Sequence, residues 1–468
     1  MLGTLIRKEL MAHVLSVRFH LTAALVVLLL GGAAVLHRAD AHRRFADYTS
    51  AEQTRQQELA EAAERPSPLF QVFSYSFQPL MSRPSGLSFV ADGHERELPN
   101  VVQVQLFRLD GPKRQQRSNP MLPPHEALDW SLIVGVVLSF AAIVLTFDAF
   151  AGEREDGTLR LLLANPVPRW QLVAAKFTGA WGILMAGLVV GVLVQLLVLL
   201  PGGVLVLDGG TMGRLALALV MAALYVAFFV LLGLAVSALN AAPDSALVVS
   251  LLVWALLVVV VPRGSAVLAH GLAPVESRDA VTQRAWARVE EAQREYLRLH
   301  PKEANRWFSG AWSPGESLDG AAVMWAAYRR ELDAWRASWL RQVGTARALA
   351  LVSPASVLSL GLERVCGTGL ERYGSFLAAA HRYRGAMEER VRAIYPLDPV
   401  DAAGTDPEAN RLLAELPVSV SDLPVFEDRP VPLGRAAVRA LPLVFALALL
   451  DLLLMAAAVL AAVRYDVR

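Results

Sequence analysis

The sequence predicts a mainly α, polytopic membrane protein with six transmembrane helices, plus a small mixed α/β region and a helical region on the extracytoplasmic side. Two observations carry that prediction. Of 468 residues 55% are hydrophobic and only 19% charged, with a mean hydropathy of +0.42, where an ordinary soluble domain has roughly a quarter charged. The apolar excess is gathered into six stretches, each near the ~20 residues that a helix needs to cross a bilayer. The same composition excludes a disordered or collagen-like chain. A single cysteine, Cys366, excludes an internal disulfide and a Cys-based zinc site. With 44 basic against 43 acidic residues, no global charge points to nucleic acid as a partner.

In residues 1–15, Leu2, Ile6, Leu10 and Val14 recur at helical spacing beside Arg7 and Lys8. That pattern fits an amphipathic helix on the inner membrane surface. Arg7 and Lys8, the apolar run behind them and Ala39-Asp40-Ala41 also fit a cleavable signal peptide, and cleavage would leave the remaining topology unchanged. Spans are predicted over 16–36, 129–149, 172–207, 213–239, 245–262 and 436–464. The breaker Asn240-Ala-Ala-Pro243-Asp makes the fourth and fifth a hairpin. Short flanks on the N-terminal side hold Arg7, Lys8, Arg18, Arg154, Arg160, Arg169, Lys176, Arg464 and Arg468. The one short loop opposite holds Arg214 alone. The positive-inside rule therefore puts both termini in the cytoplasm, for a multi-pass protein of the inner membrane.

Two long segments are left outside. In 37–128, Arg38 to Glu64 prolongs the first span into water. Leu87 to Ala91, a turn at Gly93 and the run from Val101 to Leu106 read as short strands. In 263–435 three stripes mark helices: Val281, Ala285, Val289, Ala292, Tyr296; Trp325, Tyr328, Leu332, Trp335, Trp339, Val343; and Phe376, Ala380, Tyr383, Met387, Val391, Ile394. They are the seams of a small bundle, or an aromatic surface for an amphiphilic substrate or an outside partner. The Pro- and Asp-rich stretch 398–428 reads as an irregular return to the membrane.

The most informative segment is 150–171, between spans two and three. Glu153, Arg154, Glu155 and Asp156 end the apolar span, Gly157-Thr158 offers a helix cap, and Leu159, Leu161, Leu162 and Leu163 give an apolar side before Pro166 and Pro168. The product is a short helix lying along the inner membrane face, suited to a groove on a cytoplasmic partner; an ordinary charged re-entry loop is the alternative.

Phe150-x-Gly152-Glu153-x-Glu155-x-Gly157-Thr158-Leu159, the leucines to Leu163, Pro166-Val-x-Arg169 and the following Lys176 resemble the signature of ABC-2 type transporter permeases. Arg7-Lys8-Glu9-Leu10, the six spans and the cytoplasmic ends fit as well. The Ser353-Pro354-Ala355 and Gly367 to Phe376 segments fit a long subgroup with large extracytoplasmic insertions, which include a domain of unknown function. The resemblance implies a non-enzymatic permease subunit, working in export, that pairs with a second copy or a sister permease in membrane lipid. It implies a cytoplasmic ABC ATPase dimer as partner. That dimer would handle ATP and Mg, with no cofactor in this chain. It implies that Glu153, Arg154, Glu155, Gly157, Thr158, Arg160 and Arg169 form the coupling contact, by charge and capping. The large insertions leave a second role open: moving extracytoplasmic domains that act on a periplasmic partner.

The chain has no Gly-x-x-x-x-Gly-Lys-Ser/Thr loop to cradle ATP, and neither a Gly-x-Ser-x-Gly elbow nor a His-Glu-x-x-His helix. His37 and His42 beside Asp40 could touch a metal or simply face water. Asp451 falls near the middle of the last span, where a carboxylate is a functional-site hypothesis by default. Its structural alternative is a hydrogen bond to Gln195 or Ser250. Gly187 and Gly191 permit close helix packing.

Overall fold

Apolar length sets the frame. In the computed structural model, which describes residues 2–64, 78–93, 95, 98, 100–106, 109–113, 128–163, 167–203, 205–301, 318–394 and 424–464, six helices are long and apolar enough to cross a bilayer. They are Val17–Glu61, Trp130–Glu155, Arg169–Gly202, Gly209–Leu239, Pro243–Leu272 and Leu433–Val463, here spans 1 to 6. Six crossings put the N-terminal helix α1 (Leu2–Val14), the span 2–3 connection, the span 4–5 turn and the end of span 6 on one face, called near. The other connections lie on the far face.

Spans 2 and 4 form the centre, while spans 1, 5 and 6 turn most of their apolar surface outward. Several buried polar side chains in the spans make specific bonds, as an apolar solvent favours. Tyr225 of span 4 donates to the Gly135 carbonyl at 2.6 Å, and Ser139 donates to the same oxygen at 2.6 Å. Span 2 is wound as a π-helix over Ile133–Leu138, around that shared carbonyl. Trp130 Nε1 donates to Gln195 at 2.8 Å. Gly187 and Gly191 of span 3 face Ala23 and Leu30 of span 1, so this small-residue pair serves packing within the chain.

The far face departs from the sequence reading in four places. Leu87 to Val90 is a turn, with Val90 N donating to Leu87 O at 3.0 Å, instead of a strand. Its apolar side chains are drawn into the membrane core, and Val90 O accepts the Trp130 amide at 3.0 Å. The sheet is instead three antiparallel strands in the order β1 (Gln78–Met81), β2 (Val101–Val104), β3 (Leu109–Lys113). Span 5 continues ten residues past its expected end at 262, because Pro262 sits in the first turn of a new helical segment, where a missing N–H costs nothing. The two far-face segments also form one unit. Helix α7 (Leu370–Ile394) lays Phe376, Ala380, Tyr383 and Met387 on Leu80, Val102, Val104 and Leu106 of the sheet region. Tyr383 donates to Gln78 at 2.8 Å across the join.

The other two stripes are the seams of a helical hairpin. Ala285 and Val289 of α4 (Arg278–Leu299) meet Met324 and Tyr328 of α5 (Leu318–Ala350), and Val281 on the same stripe is buried too. The fourth departure is α6 (Pro354–Cys366), expected in the outside bundle. It is buried along almost its whole length in the core formed by the spans; Val357, Leu358, Leu362 and Val365 join that core, the helix packs on spans 4 and 6, and Leu358 also reaches Gly135 of span 2. The side chains of Val391 and Ile394, and residues 398–423 of the expected return segment, lie outside the described residues.

Candidate functional site

The near-face connection folds as two short helices, α2 (Ala151–Glu155) and α3 (Thr158–Leu163), where the sequence predicts one. The break is Gly157, at φ +72°, a left-handed turn that only glycine adopts cheaply. The Thr158 hydroxyl donates to the Glu153 carbonyl at 3.2 Å, so it satisfies the end of α2 and not the start of α3. Span 4 holds the other end of α2: Ser237 Oγ accepts from Phe150 N at 2.9 Å and from Ala151 N at 3.1 Å. Leu159 is buried and Leu162 packs on the same core. Side chains of Leu161 and Leu163, and residues 164–166 with Pro166, lie outside the described residues.

The seven residues singled out in this segment divide by what they touch. Arg154 donates to the Asn240 and Ala238 carbonyls at 2.7 and 3.0 Å, closing the C-terminus of span 4. Arg169 donates to the Ala462 carbonyl at 3.1 Å and to that of Val463, closing the C-terminus of span 6. The last carbonyls of a helix lack internal partners and carry its negative pole, so an arginine is well matched to them. Glu153 faces inward, with its carboxylate 2.8 Å from Lys176 Nζ. Glu155, Gly157, Thr158 and Arg160 form the exposed elbow, with Asp156 between them.

The residue that sequence reasoning missed is Glu9. Its carboxylate lies 3.5 Å from Lys176, which thus bridges α1, span 3 and α2; Lys8 approaches Glu9 and Glu153 at 3.6 and 3.7 Å. Lys176 Nζ also sits 5.5 Å from the Phe150 ring. Gly179 makes room, since a Cβ there would fall 2.9 Å from Glu9 Cβ. The signal existed in the spacing: Leu2, Ile6, Glu9 and His13 share a helix face, and that face is turned inward, while Val14 is exposed. Burial pushes the His13 imidazole pKa down. Beside the ion cluster a half-open cleft of about 250 Å³ is lined by Glu9, His13, Asp148, Glu153, Asp156 and Lys176.

Asp451 does not meet its expected partners. Both carboxylate oxygens are buried with no hydrogen bond among the described residues, Gln195 accepts from Trp130, and Ser250 Oγ is likewise without one. His37 is buried, with its ring nitrogen 3.2 Å from the Leu128 carbonyl. No group of three His, Cys, Asp or Glu side chains suited to a metal ion occurs among the described residues.

The site therefore ties the near ends of helices to one another. Comparison with curated proteins finds no match. The family model for ABC-2 family transporter proteins matches residues 4–465, covering α1, all six spans and both insertions. The chain belongs to the ABC-2 transporter family, as a membrane permease subunit of an ABC transporter.

Proposed function

We propose that this permease works in the inner membrane as part of an ATP-driven exporter, with the near face and both termini in the cytoplasm. A separate cytoplasmic ATPase dimer binds ATP and Mg, and the permease pairs with a second copy or a sister permease. The observation that supports coupling through 150–169 is its division of labour. The elbow from Glu155 to Thr158 is exposed, as is Arg160 beyond the buried Leu159, while Arg154 and Arg169 on its flanks grip the ends of spans 4 and 6. A push on such an elbow reaches the spans with little loss to loop flexing. The nine-to-one Lys/Arg asymmetry supports the orientation.

The test is purification of the tagged chain in mild detergent, with mass spectrometry of co-purifying proteins and an ATPase assay. A phosphate-loop ATPase should accompany the wild type. It should fall at least several-fold in Glu155→Ala/Arg160→Ala, whose fold is intact by thermal unfolding. No ATPase under any mild extraction would sink the reading. A second reading, in which the strokes move the outside unit against a periplasmic partner, is favoured by the joining of α7 to the sheet in one body.

A further inference from the structure

The far ends of spans 4 and 6 are also held, and by one element. Arg214, in the first turns of span 4, donates through its two terminal nitrogens to the Val365 carbonyl at the end of α6 and to the Val431 carbonyl just before span 6. Arg364 of α6 donates to the Arg439 carbonyl in the first turns of span 6 at 3.0 Å. At the other end of α6, Ser353 is fully buried. It accepts from Ala355 N and Ser356 N at 3.1 and 3.3 Å while its hydroxyl donates to Leu257 O, in the π-helical stretch of span 5, at 2.5 Å. Gly361 meets Met221 of span 4 so closely that a Cβ would lie 1.8 Å from its methyl carbon. Gly367, left-handed at φ +69°, ends α6, and α7 starts three residues later.

Spans 4 and 6 pack along each other and run in the same direction, from far to near face. Their near ends are held by Arg154 and Arg169, their far ends by Arg214 and Arg364. We propose that these two spans act as one strut, and that α6 is its output arm: motion of the 150–169 segment is delivered through α6 to α7 and the sheet. Arg214 and Arg364 are the positioning residues of that transfer. The inference rests on the coupling reading above. It adds a defined route to the outside unit, and assigns α6 to the moving membrane body instead of to a passive insertion.

Hydrogen exchange on the chain purified with its ATPase, in ADP and in ATP with Mg under hydrolysis-blocking conditions, tests it. In the wild type ATP should change exchange both in 151–163 and in 354–394. In Arg214→Ala/Arg364→Ala the change in 151–163 should persist and that in 354–394 should be lost. Arg364→Ala alone, which removes the bond to the Arg439 carbonyl and the ion pair with Glu371 of α7 at 3.5 Å, should reduce the second change while leaving the fold intact if the double variant unfolds. A far-face response that survives in both variants overturns the inference. A wild-type response confined to 151–163 overturns it too, while leaving the coupling reading standing. No response in either segment removes the coupling reading and this one with it.

Discussion

Segments 151–163 and 354–366 are each 13 residues long and sit at opposite ends of spans 4 and 6, yet they are built in opposite ways. The near segment is broken by Gly157 and keeps its charged elbow in solvent. The far segment is one unbroken helix, capped by Ser353 and ended by Gly367, with Val357, Leu358, Leu362 and Val365 buried. The first has a surface to be contacted from outside the chain. The second has almost no free surface, and can be moved only by the helices around it. Arginines on backbone carbonyls join both segments to span 4, and Arg169, at the start of span 3 just beyond the near segment, reaches span 6 as Arg364 of the far one does.

The near side should be the more costly to break. Lys176 is buried between Glu9 and Glu153, and Lys176→Met leaves two poorly solvated carboxylates with the half-exposed Lys8 as their nearest shared cation. A loss of about 3–5 kcal/mol is expected for breaking such a buried pair. It would be seen as a large fall in the thermal midpoint in detergent, partly recovered in Lys176→Met/Glu9→Gln/Glu153→Gln. A midpoint unchanged in the single variant would mean that α1 is not held by this cluster.

The far side offers a smaller lesion. Gly93 has φ +54°, and a Cβ there would fall 2.9 Å from the Thr368 carbonyl, just after α6. Gly93→Ala should cost about 1–2 kcal/mol from the left-handed backbone alone, with the contact added. The expected outcome is a lower thermal midpoint with ATPase capture unchanged. Loss of capture would show that the two faces are not separable in this way.

The far side should also respond to pH. Burial pushes Glu95 up to about 7, against the Ser85 amide and Arg44 that favour its charge, and with Asp92 adding repulsion. Burial likewise raises Asp129, the cap of span 2, to about 6. The folded state then binds protons that the unfolded chain releases, so stability rises as pH falls from 8 through 7 and levels off below about 4.5, the ordinary glutamate range. A gain of about 1 kcal/mol between pH 8 and 5.5 is expected after allowing for partial exposure of Glu95. Thermal unfolding should show it, and Glu95→Gln should flatten the profile. A profile equally steep in that variant would place the titrating group elsewhere.

The spans were legible because a 20-residue apolar run has few alternatives to crossing a bilayer. The near-face segment was legible because its charges and glycine interrupt such a run. Helix α6 was not. Its 13 residues are too short for a span and carry Glu363 and Arg364, so the pattern matches a surface helix of a bundle. Only the folded chain supplies what buries it: Arg347 3.4 Å from Glu363, and Arg214 on the Val365 carbonyl. Arg154 and Arg169 were visible as charges but not as helix caps, because the carbonyls they reach lie 86 and 293 residues away. As a buried charge Glu9 was hidden by a reading that followed the apolar stripe Leu2, Ile6, Leu10 and Val14 along α1.

The smallest effect is expected at the residue that looked most exceptional in the sequence. Asp451 sits between the held ends of span 6, far from Arg169 at one and Arg364 at the other, and its oxygens make no hydrogen bond among the described residues. Asp451→Asn keeps the shape and breaks no bond of this structure, so stability should change by less than about 0.5 kcal/mol. If the strut works through its ends, ATPase stimulation and export should stay within twofold of wild type as well. Normal assembly with lost export would place a task on the carboxylate itself. Spans 4 and 6 would then carry chemistry at the membrane centre in addition to force between their ends.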